Sequence, residues 1–412
     1  MRPSPPQRPA LRILLATWGT TGDIAPYTGL ALGLRDAGHH VTIVTSTRYA
    51  PHFTVHGLPV REMPLAHQDD LMTQPVPRWA SMRNGHDVAA AAAPALLEAA
   101  AEGADIILAH PLLHPFCALI GEGLRLPCIG VYTVAHAMML PRIMKATPWK
   151  QHLIADTAVK LFLSPMYVSS LKRLRHSLGL PQRRLDDIVR TLHGQPVCYG
   201  ISNALLPHDY PMPQGHTGTG YWSPARPPQW KPDARIVDFL EAGPAPVYFG
   251  FGSMHRLDRN RLSETIVRAT RKLRVRAIIQ TGWANLSSDA DEVLTIAECP
   301  HDWLFPRVRA AVHHAGPGTT HASLRAATPT LPAPVTWDQP YWAARLTALG
   351  LAPTAIPARR LNTDNLTQAL RMTLDQTPYR DKTRRLSHRL SDECGTAGVL
   401  RVVDQTMQRA RH

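Results

Sequence analysis

The chain has 412 residues, 44% of them hydrophobic and 18% charged, with a formal net charge of +14. That length is too great for one ordinary core and predicts two domains, and the composition excludes a disordered chain. No run reaches eighteen apolar residues, so a membrane-spanning helix is not expected, and five scattered cysteines without CxxC spacing (Cys117, Cys128, Cys198, Cys299, Cys394) exclude a disulfide framework or zinc cluster and fit a reducing, cytoplasmic setting.

Residues 1–10 are basic and proline-rich and lead into an apolar run too short for a secretion signal, so a loose tail is expected there. Leu11–Thr17 then predicts a strand, Pro26–Ala37 a helix ended by Gly38, and Val41–Ser46 a second strand, which is the opening of a parallel βαβ unit. An Ala-rich helix over Val88–Glu102, a strand over Asp105–His110, a helix over Leu112–Leu124 and a strand over Cys128–Thr133 follow. A long basic helical stretch covers about Gln151–Leu178, and Val197–Ser202 is a further strand. Seven prolines between Pro207 and Pro232 mark a linker. Beyond it the alternation restarts, with strands at Val247–Ser253, Arg276–Thr281, Val293–Glu298, Val308–His314 and Thr330–Val335. Helices are expected at Arg259–Leu273, from about Gly318, at Tyr341–Leu349, and from Asp364 to about Ala410. The pattern predicts an α/β protein with two doubly wound, Rossmann-like domains facing across a cleft: 11–206, a linker over 207–232, 233–390, and a last helix over 391–412.

Ligands bind open parallel sheets at the carboxyl ends of strands, and three predicted loops there carry chemistry. In Gly19-Thr20-Thr21-Gly22-Asp23, the glycines admit close backbone approach, and Asp23 is either a helix cap or a general base for a hydroxyl. Gly250-Phe251-Gly252-Ser253-Met254 offers backbone N–H groups and a hydroxyl suited to phosphate. His313-His314-Ala315-Gly316-Pro317-Gly318-Thr319-Thr320-His321 puts donors at the positive end of a helix, where a diphosphate is favoured. Adjacent histidines on a strand point to opposite faces, which argues against a shared metal and leaves His313 to the core. Asp338-Gln339 supplies acceptors and donors together, as reading several sugar hydroxyls requires, or as capping the next helix requires.

These motifs, with Cys299-Pro300-His301-Asp302-Trp303-Leu304-Phe305 ahead of His313, closely resemble the nucleotide-sugar glycosyltransferases of GT-B fold. Within them the chain is most similar to the sterol glucosyltransferase and glycopeptide-antibiotic glycosyltransferase branch, over about Leu11 to Val403. The resemblance implies an N-terminal acceptor domain, a C-terminal donor domain and a last helix that crosses back to the first. It implies inverting transfer from a UDP- or dTDP-sugar to a lipophilic acceptor, with no cofactor and no essential metal. By it Asp23 is the base, and Ser253, His314, Gly316, Gly318, Thr319 and Thr320 hold the diphosphate. Trp303 and Leu304 lie near the nucleotide base, Asp338 and Gln339 grip the sugar, and Gly19, Thr20, Thr21 and Gly22 form the acceptor loop. Two departures stand out: Ala315 and Pro317 replace a glycine and an alanine of the family loop, and Pro317 removes a backbone donor. Ala322 stands where plant members carry a Glu for the ribose hydroxyls.

Ten Lys or Arg against three Asp between Arg142 and Arg190 read as a solvated face or as a peripheral membrane contact. That stretch lacks the interleaved aromatics of a nucleic-acid platform. Met138, Met139, Trp149 and Tyr167 are candidates for an apolar acceptor pocket. Nucleotide-sugar epimerisation and a non-catalytic partner role are the competing functions.

Overall fold

The computed structural model describes residues 9–65, 91–133, 168–208, 212–252, 258–282, 286–288, 290–336, 338–375 and 377–411. Among the described residues twelve strands form two sheets. In chain order they are β1 (Arg12–Ala16), β2 (His40–Ser46), β3 (Val60–Met63), β4 (Ile106–Ala109), β5 (Cys128–Tyr132), β6 (Val197–Tyr199) and β7 (His216–Gly218). Then come β8 (Val247–Gly250), β9 (Ala277–Gln280), β10 (Val293–Ile296), β11 (Ala310–His313) and β12 (Thr330–Pro332). The first sheet runs β3-β2-β1-β4-β5-β6-β7 and the second β10-β9-β8-β11-β12, and every pairing is parallel.

In both sheets the chain starts in the middle, winds outward, then returns to the other side of its first strand. The reversal falls between β1 and β4 in one sheet and between β8 and β11 in the other, and at such a switch point the flanking loops diverge and leave a crevice. Short, fully buried strands explain the near-continuous apolar runs: Ile106–Ala109 and Val247–Gly250 are buried along their whole length, as parallel strands covered on both faces must be.

Apolar side chains fill both faces of each sheet. A fifth cluster belongs to neither sheet alone. Tyr132, Tyr199, Ile201, Leu205 and Leu206 from the first half pack with Leu324, Trp342, Leu346 and Leu390 from the second. The helix Gly395–Ala410 returns to the first sheet, where Val399, Val402 and Val403 join Leu30 and Leu34 of the helix Thr21–Asp36.

Several elements differ from the sequence expectation. The first helix begins at Thr21 rather than near Pro26, because a Thr20–Asp23 capping arrangement starts it five residues earlier. The proline-rich stretch is not devoid of regular structure: His216–Gly218 adds the edge strand β7, a position that tolerates flanking prolines. β3 and the helices Leu185–His193 and Ala234–Glu241 were not expected. Residues 66–90 and 134–167, which include Met138, Met139, Trp149 and Tyr167, lie outside the described residues, as do four of the ten cations of the basic segment. Of its described part, Lys172 and Arg173 are exposed, but Arg175 turns inward. Its side chain is 2% exposed, and the guanidinium meets Glu122 at 2.9 Å and the Pro181 carbonyl at 2.7 Å, so this arginine is a structural tie.

The returning helix supplies a test of that packing. Val403→Ala deletes two buried methyl groups and costs about 2 kcal/mol, whereas Arg409→Ala on the exposed face of the same helix costs under about 0.5 kcal/mol. Thermal melts should show a lowered midpoint for the first variant alone; equal midpoints would mean that the helix contributes nothing to the first core.

Candidate functional site

At the first switch point, β1 ends and the chain turns into the helix Thr21–Asp36. Asp23 occupies the first turn of that helix, and its Oδ2 accepts from both the backbone N–H and the hydroxyl of Thr20, each at 2.9 Å. This is the reciprocal bond of a capping box: Thr20 is the N-cap, and Asp23, expected as the cap itself, stands three residues on and bonds back to it through one oxygen. Oδ1 has no hydrogen bond among the described residues. Gly19 makes the arrangement feasible: its φ is +145°, and a Cβ there would lie 2.7 Å from Asp23 Oδ2. Burial pushes the Asp23 carboxyl above its ordinary value against the two Thr20 bonds, which favour the ionised form. A carboxylate so held is a stronger base than one in water. Thr20 and Thr21 form the start of the helix, and a Cβ on Gly22 would meet only the Thr20 hydroxyl, at 3.9 Å.

A histidine not singled out from sequence shares this crevice. His110 follows β4, is buried, and accepts the Leu112 N–H at Nδ1, 3.2 Å away. Its ring meets Tyr27 edge-on at 5.7 Å, and Tyr27 lies one turn beyond Asp23. Burial lowers His110 to about 3, so it is neutral and carries its proton on Nε2. The signal was present in the sequence: a lone polar residue closing the apolar run Ile106–Ala109.

At the second switch point the loops after β8 and β11 enclose His314. A Cβ on Gly252, whose φ is +59°, would sit 2.9 Å from the His314 ring, and one on Gly316 only 2.5 Å from Nε2. The imidazole is thus held between two glycines that cannot be anything larger. Burial lowers it to about 4, so it is neutral, and Nδ1 is buried with no partner among the described residues. His313, by contrast, is core: Nε2 meets the Thr330 hydroxyl at 2.6 Å and Nδ1 accepts the Ala315 N–H at 3.1 Å.

Gly316 caps the helix Pro317–Arg325, which places Pro317 at its first position. The N–H that proline lacks has no intrahelical acceptor at that position, and the N–H groups of Gly318 and Thr319 remain at the helix end. Ala315 takes a left-handed conformation, φ +62°, a region that favours glycine. Thr320 differs from Thr319. Its N–H is spent on the Gly316 carbonyl at 2.9 Å, and its hydroxyl is fully buried with no partner among the described residues. Buried polar atoms are rarely left unpaired, and two of them, His314 Nδ1 and Thr320 Oγ1, flank this helix end.

Asp338 and Gln339 part company. Gln339 is buried and its Oε1 accepts the N–H groups of Val335 and Thr336 at 2.8 and 3.0 Å. The expectation that it reads sugar hydroxyls through that oxygen is corrected: the atom is spent on stapling its own loop. Asp338 accepts Trp342 Nε1 at 3.1 Å. Burial pushes its carboxyl up to about 6, and the negative charge of Asp23 adds to the rise. Asp23, from the other half of the chain, thus contributes to the rise at Asp338.

Leu304 is a second correction. It is fully buried in the core below the second sheet, because the short helix His301–Leu304 turns that side chain inward, so it has no surface to offer a base. Trp303 is half-buried, with the Arg307 guanidinium 4.5 Å from its ring and Trp230 edge-on at 5.6 Å. Ser253 lies outside the described residues. Among the described residues no group of three His, Cys, Asp or Glu is placed to hold a metal ion.

The coupling of the two carboxyls can be read directly. In the protein labelled with ¹³C-aspartate, Asp338 should titrate with a midpoint near 6. Asp23→Asn removes a negative neighbour, makes ionisation easier and moves that midpoint down. A midpoint unaffected by Asp23→Asn would show that the two carboxyls do not face one another.

Comparison with known proteins bears on the same regions. Residues 13–107 match the model of the glycosyltransferase family 28 N-terminal domain, and residues 275–404 match the erythromycin biosynthesis protein CIII-like C-terminal domain. A sterol 3-beta-glucosyltransferase of Debaryomyces hansenii is 28% identical over 96% of this chain and 27% of its own length. One from Arabidopsis thaliana is 29% identical over 95% of this chain and 65% of its own length. The chain thus spans from about a quarter to just under two thirds of the length of these relatives. Among solved structures, the glycotransferase of kitacinnamycin superposes with a TM-score of 0.75 at 19% identity, covering 96% of this chain and 99% of the other. The glycosyltransferase VinC in complex with dTDP gives 0.67 at 18%, covering 97% and 100%. Two parallel-sheet domains that superpose along nearly the whole chain on these solved structures give the protein the GT-B fold.

Proposed function

We propose that the protein is an inverting glycosyltransferase that moves a sugar from a UDP- or dTDP-sugar to a hydroxyl of a lipophilic, sterol-like or natural-product acceptor. The observation that carries this reading is the pair of unpartnered buried polar atoms, His314 Nδ1 and Thr320 Oγ1, at the N-terminal end of the helix Pro317–Arg325. A helix end, hydroxyls and a neutral imidazole suit a diphosphate. Across the cleft Asp23 is a carboxylate with a raised pKa and an unused oxygen. The acceptor class follows the relatives, which are named for sterols, and the donor class has support from a structural neighbour bound to dTDP.

In this reading Asp23 takes the proton of the acceptor hydroxyl as its oxygen attacks the anomeric carbon. Attack from the face opposite the leaving group inverts that centre. The nucleoside diphosphate departs toward Gly318, Thr319 and His314, whose dipoles act where negative charge grows and so favour the transition state over the bound donor. Asp338, held by Trp342, is placed for the sugar hydroxyls, with Gln339 fixing its loop. Trp303 offers an aromatic face to the base. No cofactor and no essential metal are invoked, and the five free cysteines suit the reducing cytoplasm.

Donor binding tests this without knowledge of the acceptor. Calorimetric titration should show one of UDP and dTDP binding, and His314→Ala should weaken it roughly tenfold, the loss of one or two hydrogen bonds to phosphate. There is also a proton signature. Free His314 is neutral above about 4, and a neighbouring phosphate raises that value. At pH 5.5 binding should therefore draw protons from the buffer, an uptake absent in His314→Ala. No binding of either nucleotide, or binding indifferent to His314, would overturn the assignment.

A further inference from the structure

The motif that ends in His321 holds a histidine that neither the donor nor the acceptor reading uses. His321 is fully buried one turn into the helix Pro317–Arg325. Its Nδ1 lies 2.7 Å from the Pro317 carbonyl, which can only accept, so Nδ1 carries the proton. Nε2 is then the acceptor, and it takes the backbone N–H of Ser202 at 3.2 Å. Ser202 follows β6 of the other sheet, and its hydroxyl donates to Glu393 Oε1 at 2.6 Å, just before the helix that returns to the first domain. Tyr221, from the connecting stretch, stacks on the imidazole at 4.4 Å and 10°. One neutral ring thus joins four parts of the chain: β6, the connection, the helix end and the return.

The surrounding contacts show what this adds. Arg345 also reaches the Ser202 side of the cleft, bonding the Leu205 and Leu206 carbonyls at 2.8 and 2.7 Å, but it anchors the helix Gln339–Ala348. His321 alone among these ties acts on the first turn of the helix Pro317–Arg325. Burial keeps the ring neutral, at about 4, so the donor–acceptor pattern is fixed at neutral pH.

We propose that His321 is a positioning residue that ties the N-terminal end of the helix Pro317–Arg325 to Ser202 and thereby sets the span between the diphosphate site and Asp23. The inference rests on the donor assignment made above for the meaning of that span, though the tie itself is geometric. His321→Phe keeps an aromatic ring against Tyr221 and removes both hydrogen bonds. His321→Asn retains a donor for the Pro317 carbonyl and removes only the acceptor for Ser202.

The test uses the full chain with Cys394→Ser, since Cys394 is the exposed cysteine and the other four are buried. Spin labels go on Val55→Cys and Arg359→Cys, exposed positions on opposite halves. The parent should give one narrow interspin distance, and both His321 variants should shift it or at least double its width. With UDP-glucose or dTDP-glucose and ergosterol, kcat should fall about tenfold while nucleotide affinity changes less than about threefold. Unchanged distances in the folded variants overturn the proposal, and so does a loss of affinity that matches the loss of kcat. Should His321→Phe fail to fold, His321→Asn decides alone. A parent that binds neither UDP nor dTDP overturns the donor assignment instead, and the distance measurement still judges the tie.

Discussion

The cleft depends on where the positive end of the helix Pro317–Arg325 is held. A helix end acts on charge only over about its first turn, so a donor-side helix displaced by a few ångströms would be of little use to a diphosphate. Parallel winding sets its coarse position, because the loops after the paired strands β8 and β11 diverge at the switch point and leave a gap for this helix to point into. Fine position comes from shape: His314 wedged between Gly252 and Gly316, and His321 bonded to Ser202.

Burial rather than charge pairing shapes the chemistry on both sides. His110, His314 and His321 are driven neutral by removal from water, so each presents one donor and one acceptor, in a tautomer fixed by hydrogen bonds at His110 and His321. The same desolvation raises Asp23 and Asp338. A cleft of net positive side chains would hold a diphosphate more strongly, but it would bind substrate and product alike and add little to turnover. Neutral dipoles and two raised carboxyls favour instead the state in which charge is being transferred.

Much of this was legible in the sequence. Alternation of apolar runs with helical periods gave two doubly wound units, and glycine-rich loops after strands marked the crevices. Asp23, His314 and Asp338 stand out because polar residues break apolar patterns at strand ends. Legibility failed where geometry, not residue type, decides. Gln339 looks like a ligand-reading amide until its oxygen is seen to be bound to Val335 and Thr336. Leu304 shares a motif with Trp303 but faces the opposite way on one short helical turn. Thr320 and Thr319 are alike in the string and differ by burial. His321 is a contact between residues 119 positions apart, which no local pattern contains. Pro317, an apparent defect in the string, sits at the helix position that tolerates proline best.

In the proposed reaction Asp23 and the helix end at Gly318 act on one transferring sugar from opposite walls of the cleft. The most direct measurement is transfer from UDP-glucose and dTDP-glucose to ergosterol, comparing the wild-type chain with Asp23→Asn and resolving the anomeric configuration of the product by NMR. The account predicts a β-glucoside from an α-linked donor, and a loss of about a thousandfold or more in kcat for Asp23→Asn with nucleotide affinity retained. Near-normal turnover by Asp23→Asn, or retention of the anomeric configuration, would contradict it.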